Sequence, residues 1–199
     1  MINNTDLQNK VKEKWEQLCK IHSMTKKYML LSEEYSIDMK TYVQPIKEQR
    51  DAYEHLVRAY TKYYNVNIPP IFNNSTESLE NSNIGNEEYI LKNLDKAISH
   101  EFRAYYDAID YITLVLRNLF YNELKDFSYN DIVSVFSGYP ELKSQLLSLP
   151  EQIAEQRNKK DIGNSAQIQI AEDYGKIADD LFEKYKSLVE NVLNKIEPV

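Results

Sequence analysis

The chain has 199 residues and a formal net charge of −7, from 24 basic and 31 acidic side chains. Its 42% of hydrophobic residues is ordinary for a globular protein and too high for a wholly disordered chain. With 4 glycines, 6 prolines and 1 cysteine, it has too few turn residues for an all-β fold and cannot form an intrachain disulfide or a cysteine-based zinc cluster.

Two further exclusions concern the membrane and nucleic acids. No stretch approaches the roughly 20 apolar residues of a membrane-spanning helix, and the charged N-terminal region does not resemble a secretion signal. We therefore expect a cytoplasmic protein that does not contact a membrane. The acidic balance disfavours nucleic-acid binding, which needs clustered lysines and arginines, without excluding it.

The first predicted element is a very long helix over residues 5–64. A kink is expected at Thr41–Pro45, because proline lacks a backbone donor. An unbent helix of this length would span about 90 Å, so we expect it either to break or to project and seek a partner. A seven-residue pattern typical of bundles and coiled coils predicts one column of core positions: Val11, Leu18, Thr25, Ser32, Met39, Ile46, Tyr53 and Tyr60.

Tyrosines recur along this helix and have two interpretations. Over residues 42–63 we expect the rings to pack in the core, with the hydroxyl groups at its rim. Over residues 7–35 the rest of the chain is too short to cover the helix, which favours an interface for another molecule. The predicted interface residues are Trp15, Leu18, Ile21, Tyr28 and Tyr35.

Two more long helices follow an Asn- and Pro-rich loop. Residues 65–86 hold 7 asparagines, two adjacent prolines and one glycine, which predicts a loop. Apolar residues at intervals of three and four then predict a second long helix over 87–126 and a third over 165–196.

Short helices are predicted before the last long one. Ser128 with Asp131 resembles a capping box, and Pro140 and Pro150 suit the first position of a helix. The expected architecture is an all-α, up-and-down bundle of three long helices with two or three short helices inserted before the last. It would form a single elongated domain over residues 1–199.

Polar residues gather around a motif that occurs twice. His-x-x-Arg-Ala-Tyr is found at His55–Tyr60 and again at His100–Tyr105. In an antiparallel hairpin, facing residue numbers add to about 150, so Arg50 would lie beside His100. Side chains three or four residues apart share a helix face. This predicts a polar cluster around the histidines: Asp51, Arg58, His100, Arg103, Asp107 and Asp110.

The polar cluster has a structural and a chemical interpretation. Charged stripes on adjacent helices commonly form salt bridges that fix the register. Alternatively, histidine and arginine in a cleft bind or cleave a phosphodiester, because histidine shuttles protons near neutral pH and arginine holds phosphate at two points.

One resemblance bears on the second interpretation. The residues Arg50-Asp51-Ala52-Tyr53-Glu54-His55 resemble the Arg–polar–x3–His signature of HEPN ribonucleases. Members of that family are small all-α bundles that often dimerise to form a metal-independent RNA-cleaving site. The resemblance implies that Arg50 stabilises charge, that Asp51 fills the polar position and that His55 acts as acid or base.

No metal or cofactor is expected. Di-iron bundles need Glu-x-x-His on two helices, and no glutamate stands three residues before any histidine. Cys19-x-x-His22 has ligand spacing but no second pair. Asp107 and Asp110 have the acid-x-x-acid spacing of magnesium-dependent all-α pyrophosphatases, an alternative that we rank below the ribonuclease.

The leading hypothesis is a non-enzymatic helical interaction module that associates with itself or with a protein partner. It depends on the long heptad pattern, the many tyrosines, and the lack of a glycine-rich phosphate loop or a nucleophile motif. The abundance of Asn, Lys, Ile and Tyr suits a bacterial protein, an oligomer or a subunit of a larger complex. The alternative is a HEPN-like metal-independent ribonuclease that uses Arg50 and His55.

Overall fold

A computed structural model describes residues 4–36, 42–67, 85–158, 167–193 and 195. Every regular element in these ranges is helical, which confirms the all-α bundle. The elements are α1 (Asn4–Tyr35), α2 (Val43–Tyr63), α3 (Asn86–Leu124), α4 (Tyr129–Val135), α5 (Tyr139–Asn158), α6 (Gln167–Leu188) and a π-helical turn (Val189–Leu193). Among the helices in the described ranges, none combines the length and the apolar character needed to cross a membrane.

The predicted first long helix is two helices. α1 ends at Tyr35, Ser36 and Tyr42 are not helical, and α2 begins at Val43. Pro45 is the third helical residue of α2, where its missing N–H is tolerated because the first N–H groups of a helix have no acceptor within it. The first long helix is expected either to break or to project toward a partner. The structure shows that it breaks, and the break precedes Pro45.

The predicted loop over residues 65–86 lies mostly outside the described residues. α2 ends at Tyr63 and α3 begins at Asn86, so the flanking helices stop close to the predicted limits. Asn65 has a φ of 53°, a left-handed conformation that asparagine tolerates better than most residues.

The chain divides into two compact units. Unit 1 consists of Met1–Lys26 and Val43–Tyr105, and unit 2 of Lys27–Tyr42 and Tyr106–Val199. The single domain over residues 1–199 stays a prediction.

In unit 1, three helices pack around one apolar cluster. Its buried centre consists of Val11 from α1, Ala59 from α2, and Ile90 and Leu94 from α3. Partly buried apolar residues at helical spacing flank this centre, Leu7 in α1 and Leu56 and Tyr63 in α2, so each helix turns an apolar stripe toward the other two. The cluster fixes α2 and α3 side by side and thereby positions the polar residues between them.

The directions of the helices in unit 1 follow from their polar contacts. His55 of α2 bonds to Asn93, and Glu48, two turns earlier in α2, bonds to the later residue His100, so α2 and α3 are antiparallel. Contacts of α1 with α3 advance together along both helices, from Lys10–Glu87 to His22–Glu101, so these two are parallel. The antiparallel arrangement of α2 and α3 is the hairpin that the sequence predicts.

Aromatic residues organise unit 2. The Tyr28 hydroxyl donates to the Gly175 carbonyl at 3.1 Å, and the Tyr106 ring lies 5.5 Å from that of Tyr174. Farther along, the Phe120 and Tyr185 rings are also 5.5 Å apart. Contacts between α3 and α6 therefore advance in the same chain direction, and these two helices are parallel.

The inserted helices differ from the prediction at one proline. Ser128 caps α4 as predicted. The prediction that Pro150 opens a separate helix is wrong, because α5 continues through it. Proline inside a helix removes one backbone hydrogen bond, but Leu149 and Ile153 beside it are buried. Apolar packing therefore holds the helix together across the proline, and the described residues contain two inserted helices.

Most of the predicted interface on α1 is covered by the chain itself. Leu18, Ile21 and Tyr28 are only 5%, 1% and 4% exposed, so they belong to the core and are not available to a partner. The expectation that the rest of the chain is too short to cover them is wrong. Tyr35 is half-buried, with its ring 4.9 Å from that of Phe182. Only Trp15, which is 41% exposed, remains open.

In α2 the buried column lies one residue before the predicted one. Pro45, Ala52 and Ala59 are buried, whereas Ile46 and Tyr53 are 43% and 69% exposed. The break between α1 and α2 explains the shift, because a seven-residue pattern keeps its phase only along a continuous helix. The predicted core role is therefore wrong for Ile46 and Tyr53. It is also wrong for Tyr42, which is 42% exposed.

Candidate functional site

The repeated motif brings two histidines together between α2 and α3 in unit 1. The rings of His55 and His100 stack with centroids 5.4 Å apart and planes inclined by 21°. Ala52 and Ala97, each three residues before a histidine, are 1% and 0% exposed. Because alanine has a small side chain, these positions let the helices approach closely enough for the rings to meet.

A neutral amide holds the first histidine. Nδ1 of His55 donates to Oδ1 of Asn93 at 3.0 Å. The Asn93 amide nitrogen donates to the Tyr89 carbonyl at 2.9 Å, which fixes its oxygen as the acceptor. The neutral His55 ring therefore carries its proton on Nδ1 and keeps a lone pair on Nε2.

The surroundings of His55 favour its neutral form. Burial is the largest effect, and it lowers the pKa of His55. The bond to Asn93 acts in the opposite direction, while the nearby cations Lys96, His100 and Arg58 lower the pKa further. A neutral imidazole can accept a proton, so His55 is suited to act as a base.

A carboxylate holds the second histidine. Oε2 of Glu48 accepts from Nδ1 of His100 at 2.7 Å and from Nη1 of Arg103 at 3.3 Å. The Glu48 and His100 side chains are only 16% and 18% exposed, so water is largely kept from the pair. A carboxylate on one ring nitrogen fixes the orientation of a histidine and leaves the other nitrogen for chemistry or binding.

Arg50 does not take its predicted place. Glu48, two residues earlier, lies opposite His100 instead. The Arg50 side chain is 73% exposed, and its Nε and Nη2 donate to Oδ1 of Asp51 at 2.9 and 2.7 Å. This bond is the main reason why the pKa of Asp51 is lowered, and the charges of His100 and His55 lower it further.

The predicted polar cluster is divided between the two units. Unit 1 contains the four members that precede Tyr106, and unit 2 contains Asp107 and Asp110. In unit 2, Asp110 accepts a hydrogen bond from the Tyr174 hydroxyl. α3 contributes residues to both units, so spacing along this helix alone does not define one site.

A groove runs along α3 in unit 1, with a volume of about 460 Å³. Asp95 in this groove forms an ion pair with Lys14 of α1. The lining residues are Glu88, Leu91, Lys92, Asp95, Lys96, Ser99, His100 and Arg103.

Sequence reasoning missed the two residues that hold the histidines. Glu48 stands seven residues before His55, and Asn93 stands seven residues before His100. Two helical turns separate each pair, so each acceptor shares a face with the histidine of its own helix. Each acceptor then bonds to the histidine of the other helix. Extending the repeated motif by seven residues toward the N-terminus would have found both.

The third histidine lies on a buried carboxylate. Nδ1 of His22 and Oε1 of Glu101 are 2.9 Å apart, and the second carboxylate oxygen of Glu101 has no hydrogen-bond partner in the described structure. Glu101 is 4% exposed, whereas the His22 side chain is 50% exposed. Within the described ranges, no group of three or more His, Cys, Asp or Glu residues is arranged to hold a metal ion.

An exposed apolar stripe, which we term the α2 face, runs along the outer side of α2 and ends at Tyr64, the residue that follows the helix. Its members are separated by three, seven, four and seven residues, which keeps them on one side of a helix. Arg50 and Tyr60 lie on the same side of the helix as these apolar residues, at intervals of three, four or seven from them. The α2 face consists of Val43, Ile46, Tyr53, Val57 and Tyr64, each between 41% and 69% exposed.

Comparison of the chain with protein-family models, curated proteins and solved structures finds no match in any of the three. The resemblance to HEPN ribonucleases therefore depends on six residues of α2 alone. The function proposed for the chain depends on the geometry of unit 1.

Proposed function

We propose that the chain is a non-enzymatic helical interaction module that binds a protein partner or a second copy of itself through the α2 face. The observation that supports this is the exposure of five apolar residues at helical spacing. Helices of soluble proteins normally turn such a stripe toward their own core, and a contiguous exposed stripe is typical of an interaction surface.

Aromatic residues extend the α2 face toward α1. The exposed Trp15 ring meets the Tyr60 ring edge-on at 5.7 Å, and Tyr60 stacks with Tyr64 at 5.9 Å. Tyrosine, tryptophan and arginine are the residues most enriched among those that dominate binding energy. An apolar stripe on a partner helix fits this surface, because heptad positions pair between helices.

The proposal includes a bacterial cytoplasmic setting, with the chain as an oligomer or as a subunit of a larger complex. Its single cysteine, Cys19, is exposed and free. A free surface thiol suits the reducing conditions of the cytoplasm.

Substitutions on the α2 face test the proposal. The double variant Tyr53→Glu with Val57→Glu places two charges where an apolar contact is expected. Leu147→Glu is the matched control, because Leu147 is 74% exposed on α5, in the other unit. Sedimentation equilibrium of the wild type should give masses above 23.4 kDa as concentration rises. The double variant should stay monomeric, and the control should associate like the wild type.

A heterologous partner needs a second measurement. A photo-crosslinking residue at position 53 should capture a specific partner in the native host, and Val57→Glu should abolish the adduct. A chain that is monomeric at all concentrations and gives no adduct removes the proposal. Deleting residues 1–35 is a poor test, because Leu18, Ile21 and Tyr28 are core residues.

We also infer a second candidate function, metal-independent RNA cleavage at Arg50 and His55. The observation that favours it is the histidine pair, whose Nδ1 atoms are fixed by Asn93 and Glu48. Two imidazoles at one place can supply a base and an acid.

Cleavage of mixed single-stranded RNA in EDTA tests this candidate. His55→Gln should lower the rate about 100-fold or more, as expected for loss of a general base. His22→Gln is the matched control and should cleave like the wild type. No cleavage by the wild type, or equal cleavage by wild type and His55→Gln, removes this candidate.

A further inference from the structure

A band of basic side chains follows the α3 groove. Lys92, Lys96, His100 and Arg103 recur at intervals of four, four and three residues, so they share one face of the helix. All four line the groove. A volume of about 460 Å³ is enough for a small ligand.

Basic side chains outnumber acidic ones in the lining of this groove near His100. Glu88 stands twelve residues before His100, about 18 Å along the helix axis. Asp95 is paired with Lys14. Glu48 is the acid in direct contact with this end, and it orients His100 and Arg103 by accepting a hydrogen bond from each.

Basic side chains are crowded around the histidine pair. Lys96, Arg58 and His100 all act on His55 and disfavour its protonation, in addition to the effect of burial. Two acids of α2 are each paired with an arginine, Asp51 with Arg50 and Glu54 with Arg58. Like charges at helical spacing repel one another. An anion bound among these side chains would be attracted by each of them, and this attraction would offset their mutual repulsion.

We propose that the His100 end of the groove binds the phosphate group of a small phosphate monoester, with Lys96, His100 and Arg103 as its ligands. A tetrahedral dianion offers several acceptor oxygens, which an ammonium and a planar guanidinium can bond from different directions. This site is independent of the α2 face, and it requires binding only, without cleavage of any bond.

Histidine NMR of the full chain tests the proposal, with inorganic phosphate as the probe. The chain has 3 histidines, so their ring-proton signals can be assigned by single His→Gln variants. At neutral pH and constant ionic strength, phosphate should shift the His55 and His100 signals with saturation. The His22 signal is the internal control and should not shift, because His22 lies on α1 and is not among the residues that line the groove.

Lys96→Gln with Arg103→Gln should weaken phosphate affinity at least about tenfold, the effect of losing one charge-assisted hydrogen bond. Lys12→Gln is the matched control, since Lys12 is 75% exposed on α1. Each single variant is measured as well, so that a folding defect in the double variant leaves the test intact. An equal shift at His22, no saturation, or unchanged affinity in the variants overturns the proposal.

Discussion

His55 and His100 stack at equivalent positions of two antiparallel helices, yet they are held by different acceptors. Asn93 offers a neutral amide oxygen to His55, whereas Glu48 offers a carboxylate to His100. Charge-assisted hydrogen bonds are about twice as strong as neutral ones. The pair is therefore symmetrical in backbone position and asymmetrical in its hydrogen-bond acceptors.

His55 should make the protein less stable in acid. Its folded-state pKa lies below the ordinary value of 6.5, chiefly because of burial, with Lys96, His100 and Arg58 adding to the effect. Above pH 6.5 both states hold a neutral ring, so His55 contributes no slope. Below it the unfolded chain binds a proton more readily, so the free energy of unfolding should fall with pH. Urea unfolding at a series of pH values measures this.

The pH slope should depend on His55 itself. In His55→Gln the fall in stability between about pH 7.5 and 5.5 should be smaller than in the wild type. His22→Gln leaves His55 in place and should keep the contribution from His55. An identical slope in His55→Gln and wild type would contradict the assignment.

Glu101 should be a destabilising residue. Its carboxylate is 4% exposed, and one of its oxygens has no hydrogen-bond partner in the described structure. Methionine fills a similar volume without a buried charge, and the half-exposed His22 can turn to water when its partner is lost. Glu101→Met should therefore raise the free energy of unfolding by roughly 1 kcal/mol, because the partner left behind is half exposed while the desolvation cost of the carboxylate is removed. Thermal and urea unfolding measure the change.

Glu48 provides the opposite case for comparison. Its carboxylate accepts from both His100 and Arg103. Glu48→Met removes the acceptor and leaves two cationic or polar groups facing each other, so the free energy of unfolding should fall by about 1–3 kcal/mol. If both methionine variants change stability in the same direction, the distinction drawn from hydrogen bonding is wrong.

The fold was predictable where a helix is continuous. Val11, Leu18, Thr25 and Ser32 follow the predicted seven-residue column and are all buried in α1. Beyond the break the same column gives the exposed Tyr53, because the phase of α2 is set anew by its own packing. No local pattern could fix that phase before the position of the break was known.

The site was predictable in its histidines and not in their partners. The repeated motif and the hairpin register place His55 near His100, as the structure shows. A register that differs by two residues exchanges Arg50 for Glu48, and thus a cation for an anion. Two residues turn a helix by about 200°, so a small error in register reverses the chemistry of the contact.

Ala59 marks the closest packing of α2 in unit 1. It is 1% exposed at the centre of a cluster with Val11, Ile90 and Leu94. Ala59→Leu forces a larger side chain into filled space and should lower the free energy of unfolding by about 1–3 kcal/mol. Val57→Leu, two residues away and 41% exposed, should change it by less than about 0.5 kcal/mol. Equal urea midpoints for the two variants would exclude close packing at Ala59.

The capping box of α4 provides a test in unit 2. Ser128 has an extended backbone, with φ −73° and ψ 150°, and its hydroxyl accepts from the Asp131 backbone N–H at 3.2 Å. The same hydroxyl donates to Oδ2 of Asp131 at 2.6 Å. Ser128→Ala removes both bonds and leaves the N–H without its side-chain acceptor, so the free energy of unfolding should fall by about 1 kcal/mol.

A serine within a helix is the control for the cap. Ser148 lies inside α5, where its hydroxyl donates to the Gln145 carbonyl. Alanine has a higher helix propensity, and competing side-chain bonds of serine do not help a helix interior. Ser148→Ala should therefore leave the free energy of unfolding unchanged or raise it slightly. If both alanine variants lose the same stability in urea, the loss at Ser128 comes from removing a hydroxyl group in general and does not reflect its position at the start of α4.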